Sequence, residues 1–115
     1  MSKVYSGFAL ADSMFSDGLI TRRTLSIDEV KPLVTAGVVS CCNPSHQATI
    51  TAMQSRFNLG VAIPATPPRV SLHHGDSVIV MGVRGLPRLT DRHEYTDEEV
   101  AGATFVFSLY TFVQA

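Results

Sequence analysis

The chain has 115 residues, 45% of them hydrophobic and 17% charged, which suits one compact domain and excludes an extended disordered protein. Nine basic residues against ten acidic ones leave a formal net charge of −1, so no global field draws in DNA or RNA and any anion site must be local. No apolar run reaches the ~20 residues of a membrane span, and MSKVYSGFAL at the N-terminus lacks a secretory apolar core; a cytoplasmic protein with no membrane partner is expected.

KVYSGFAL (3–10) mixes β-formers with small residues and predicts a first strand. ADSMFSDG (11–18) follows as a short helix or turn, and LITRRTLS (19–26) as a second, partly exposed strand. SIDEVKPLVTAG (26–37) carries a helix signature: Ser26 as N-cap, Glu29 completing a capping box, and Gly37 just past the end. Pro32 inside it predicts a short or bent helix. VVSCC (38–42) is a compact apolar run and predicts a buried strand. Cys41 and Cys42 are neighbours whose side chains diverge, so two reduced thiols are expected.

From His46 the period changes. Ala48, Ile50, Met53 and Phe57 lie on one helical face, and Gly60 is the expected stop. VAIPATPPRV (61–70) is too rich in proline for a helix. RVSLHHGDSVIVMGV (69–83) predicts a hairpin: strand, a His-Gly-Asp turn served by Asp76, strand. RGLPRLTDRHEY (84–95) is polar and lies between apolar segments, the natural place for a flap. TDEEV (96–100) opens a short capped helix, and ATFVFSLYTFV (103–113) predicts a final strand. The order of elements gives an α/β fold: one domain over 1–115 with a mixed β-sheet flanked by helices.

Four constellations carry chemistry. Ser45 as N-cap would put His46 in the first turn of its helix, beside the unpaired backbone N–H groups that attract phosphate. A histidine there can bind a phosphodiester or donate a proton to a leaving oxygen, with Thr49 adding a hydroxyl one turn on; a solvated histidine beside a cap is the plainer alternative. The flap supplies Arg84, Arg88 and Arg92, with Asp91 three residues after Arg88. Arg88 can hold a phosphate bidentately while Asp91 positions it, or the loop is simply solvated. His73 and His74 with the two cysteines match no zinc spacing. Arg22 and Arg23 form at most a small basic patch on an exposed strand.

The ordered set SHQAT, PPR, HGD and RLTD resembles the small viral ring nucleases that act as anti-CRISPR proteins against type III systems. The resemblance runs over nearly the whole chain. It implies a homodimer that binds cyclic tetra-adenylate across its two-fold. It further implies metal-independent, cofactor-free cleavage to linear di-adenylates in the cytoplasm, that of the host if the protein is viral, with no DNA partner. Carried over by position, the catalytic histidine falls on His46, the flap arginine on Arg88, and the flap glutamate on Asp91, one methylene shorter. Ligand contacts fall on Ala11, Ser13, Ser45, Gln47, Thr49 and Arg84. The family places a glycine where Ser45 stands, and small or aliphatic residues where CNP stands. A non-catalytic sponge or sensor for a cyclic nucleotide on the same scaffold is the competing expectation.

Overall fold

The computed structural model describes residues 3–42, 46–66, 68–86 and 95–115. Five strands form one mixed sheet: β1 (Val4–Gly7), β2 (Gly18–Leu25), β3 (Val39–Ser40), β4 (Ser77–Arg84) and β5 (Thr104–Gln114), in spatial order β2-β5-β4-β1-β3. β1 runs parallel to both β3 and β4, while β5 is antiparallel to β4 and β2. Three helices join them: α1 (Ile27–Ala36), α2 (Gln47–Phe57) and α3 (Asp97–Gly102). Because β3 and β4 are parallel and β1 lies between them, α2 must cross over β1. This single-domain α/β architecture is the fold class expected above.

The helix starts follow local chemistry. Ser26 Oγ accepts from Glu29 N, and the Glu29 carboxylate accepts from Ser26 N at 3.0 Å, so the capping box of α1 is closed. Thr96 and Glu99 repeat the device at α3. Gly37 ends α1 at φ 117°, a conformation that L side chains rarely adopt. Arg56 of α2 donates to the Val100 and Ala103 carbonyls, which satisfies the open end of α3 and ties the two helices together.

Each face of the sheet has its own apolar cluster. On the helix-covered face Val30, Ile50 and Met53 meet Leu25, Ile79, Met81 and Phe107. Phe57 closes this layer edge-on against Phe105, with ring centroids 5.4 Å apart. On the other face Tyr5, Val78 and Phe112 are covered by loop residues Val70 and Leu72, with Leu10, Met14 and Phe15 packed alongside. Burying each large side chain of these clusters contributes about 1.5–3 kcal/mol.

Four expectations need correction. No strand precedes β4 over 69–73, so the hairpin does not form. Its apolar residues Val70 and Leu72 are buried by packing, while both edges of β4 are paired with the distant β1 and β5. VVSCC contributes only the two-residue edge strand β3, with Val39 exposed; the buried member of that run is Cys42. The helix after it begins at Gln47 with His46 itself as N-cap, and it ends at Asn58 in the left-handed region (φ 55°), two residues before Gly60. A short polar side chain tolerates that conformation and can end a helix as glycine does. Of the expected flap, only Arg84, Gly85, Leu86 and Tyr95 belong to the described residues.

Candidate functional site

In an open sheet with parallel strands, ligands favour the crevice outside the carboxyl ends of those strands. Here β1 and β3 end side by side at Gly7 and Ser40, and the start of α2 follows. β4 extends four residues beyond its pairing with Gly7 and forms a wall ending at Arg84.

His46 stands at the mouth of α2 with φ −90° and ψ 2°, and its side chain makes no capping hydrogen bond. The first backbone N–H groups of a helix lack intrahelical partners, so this is an electropositive end. The His46 imidazole packs on the ring of Phe8, the first residue past β1, with centroids 4.4 Å apart and planes inclined by 37°. Burial pushes the His46 pKa below the ordinary histidine value. The downward direction agrees with the influence of a helix N-terminus, but burial is its cause.

Gln47 and Thr49 share the first turn of α2 with His46; Gln47 is exposed and donates from Nε2 to Thr51 Oγ1 at 3.1 Å, and Thr49 is half-buried. Ser13 is exposed in the 3-10 turn Asp12–Met14 and Ala11 is exposed as its N-cap, while Leu10, Met14 and Phe15 of the same segment pack on the face opposite to Phe8. Arg84 is exposed at the end of β4, paired with Thr104 of β5. The structure thus groups His46, Gln47 and Thr49 at one helix end and sets Ala11, Ser13 and Arg84 on separate elements. Ser45, Arg88 and Asp91 lie outside the described residues.

Phe8 is the contributor that a reading of the sequence missed. In KVYSGFAL it looks like any strand aromatic, and nothing in a local window tells that a residue 38 positions away will meet its ring. Ser6 is similar. Its hydroxyl is fully buried on β1, two residues before Phe8, and is the one buried side-chain polar atom without a hydrogen-bond partner among the described residues.

The other candidate groups resolve differently. Asp76 is buried at the opposite end of the sheet and accepts from Lys3 N at 2.8 Å and His73 N at 2.9 Å. Burial alone would raise its pKa, but those backbone donors, with the nearby positive charges, hold it below the ordinary carboxylate value. His74 Nδ1 accepts from Gln114 N at 3.2 Å. Among the described residues no three of His, Cys, Asp and Glu come close enough to hold a metal ion. Burial raises the pKa of both Cys41 and Cys42, so neither is an activated thiolate. Arg22 donates to Tyr110 and Ser108, and Arg23 pairs with Glu29 at 2.7 Å, so both basic residues of β2 are engaged within the chain.

A cleft of about 120 Å³ lies between α2 and α3, lined by Ala48, Thr51, Ala52, Ser55, Tyr95, Asp97 and Val100. It runs along α2 away from His46. No helix of the described residues is long and apolar enough to cross a membrane.

Fold and site together define a small single-domain α/β protein with a titratable group at a helix mouth beside the carboxyl ends of parallel strands. Among solved structures the chain is similar to B116 of Sulfolobus turreted icosahedral virus (STIV), with a TM-score of 0.68 and 16% identity over 96% of this chain and 99% of that one. A likeness of that extent at so low an identity establishes a shared fold. No protein-family model and no curated protein matches the chain.

Proposed function

We infer that the protein is a metal-independent ring nuclease for cyclic tetra-adenylate, a viral antagonist of type III CRISPR immunity that acts as a homodimer. The observation that carries this reading is the placement of His46 at the mouth of α2, beside the carboxyl ends of β1 and β3. That position joins a phosphate-attracting helix end to a proton donor. Two further features support it: the ordered motifs SHQAT, PPR, HGD and RLTD, and the full-length fold likeness to a protein of a Sulfolobus virus.

The chemistry asks little of the protein. In each linkage the ribose 2′-OH is the nucleophile: it attacks the adjacent phosphorus in line and gives up its own proton to solvent water. The P–O5′ bond breaks, and the leaving 5′-oxygen takes a proton from His46. The product is a linear fragment ending in a cyclic phosphate. The N–H groups of the first α2 turn and the Thr49 hydroxyl hold the phosphate, Arg88 neutralises it bidentately, and Asp91 orients the site. Burial keeps His46 largely neutral in the free protein at pH 7, and the phosphates of a bound ring draw a proton onto it. The acid is therefore armed by its substrate.

Two copies related by a two-fold present two His46 residues to opposite linkages of a symmetric ring. β2 supports pairing with another copy: it is an eight-residue edge strand with one side unpaired among the described residues, and Leu19 and Ile20 on it are 71% and 46% exposed.

The test is incubation of the purified protein with cyclic tetra-adenylate and EDTA, with products resolved by chromatography beside His46→Ala. Linear di-adenylates that vanish in the variant support the reading. Intact ring that co-migrates with the protein converts it to a sponge, and an unbound intact ring overturns both.

A further inference from the structure

Phe8 follows directly on β1 and its side chain packs against the helix-side cluster, which anchors the ring. His46 starts α2, which is itself anchored through Ile50, Ala52 and Met53. The two rings meet at 4.4 Å and 37°, a close tilted contact. Ordering one side chain costs up to about 1 kcal/mol. The Phe8 ring, just past the end of β1, restricts the orientations open to the imidazole before any ligand arrives.

We propose that Phe8 is a positioning residue: its ring sets the plane and rotamer of the His46 imidazole, so that a phosphodiester docked on the α2 N-terminus meets one donor orientation. This deepens the ring-nuclease reading and rests on it for its catalytic consequence. Phe8 touches neither the phosphate nor the proton in flight and acts through His46. The same contact removes water from one side of the imidazole, in keeping with the depressed His46 pKa. The aromatic ring is the feature required, because a flexible aliphatic side chain fills the space without fixing a plane.

Phe8→Leu and Phe8→Tyr in the full chain test this, with matched thermal melts confirming that both fold. With cyclic tetra-adenylate, Phe8→Leu is expected to lower kcat about tenfold with KM within about twofold, the mark of a misaimed donor, while Phe8→Tyr restores kcat. The His46 imidazole proton resonances of the free protein supply a readout that needs no activity. They are shifted upfield by the aromatic ring in the wild type and in Phe8→Tyr, and return to ordinary positions in Phe8→Leu. Unchanged resonances in Phe8→Leu overturn the proposal, as does wild-type kcat in that variant. If the wild type leaves the ring intact, the nuclease reading has failed, and the resonances alone decide whether Phe8 holds His46.

Discussion

The two ends of the parallel strands use titratable side chains in opposite ways. At the amino ends, Asp76 is 2% exposed and its carboxylate is spent on the backbone of Lys3 and His73; the neighbouring Gly75 and Asp76 exchange further hydrogen bonds with the Phe112 backbone. At the carboxyl ends, His46 is half-exposed on a helix whose first N–H groups its side chain does not cap. Both pKa values are depressed, Asp76 by donors that favour its charge and His46 by burial that disfavours it. One end is stabilised by a charge that its donors favour, while burial at the other favours the neutral imidazole. A depressed pKa alone therefore says little about function; its cause tells a lock from a site.

Removing the lock should have the largest effect. Asp76→Ala leaves two part-buried N–H groups without their acceptor and should cost about 2 kcal/mol in a denaturant titration. Cleavage by the fraction that remains folded should be unaltered. Loss of activity without loss of stability would erase the contrast between the ends.

The pH dependence follows from the direction of the same shift. The folded-state pKa of Asp76 lies below its unfolded value of about 3.9, so its contribution is complete above that value and is lost as pH falls through the folded pKa. Denaturation profiles between pH 6 and pH 2 should show this loss in the wild type and a flatter limb in Asp76→Asn. His46 has the same sign at higher pH: its depressed folded pKa makes the protein lose stability as pH falls below about 6.5. His46→Ala should remove that slope and change stability at pH 7 by less than about 1 kcal/mol. A larger destabilisation would make His46 a structural residue.

The smallest effect belongs to Ser6, whose buried hydroxyl has no partner among the described residues. Ser6→Ala should be neutral or stabilising by up to about 1 kcal/mol, because an unpaired polar group is lost at little cost in packing. A clear loss of cleavage with full stability would show instead that the hydroxyl serves the ligand.

What was legible in the sequence depended on the range of the interaction. Ser26, Glu29 and Gly37, or Thr96 and Glu99, act within a turn or two, and the helices they bound appear where expected. The β-prone run 103–113 likewise gave β5 to within a residue at each end. Val70 and Leu72 alternate like a strand, yet their partners are Tyr5 and Phe112 across a loop, and only the tertiary fold shows that β4 pairs elsewhere. At the site, His46 and Thr49 were visible because both belong to one helix start. Phe8 was not, because its meeting with His46 depends on α2 crossing over β1.

For His46 to act as the acid, the phosphates of the bound ring must raise its pKa so that the imidazole takes up a proton from solvent before cleavage. A 2′-fluoro analogue of cyclic tetra-adenylate lacks the nucleophile and stays intact, so the His46 imidazole can be titrated by NMR with and without it. The pKa should lie below the ordinary histidine value in the free protein and rise above it in the complex. A complex in which the His46 pKa does not move would contradict the assignment of His46 as the acid.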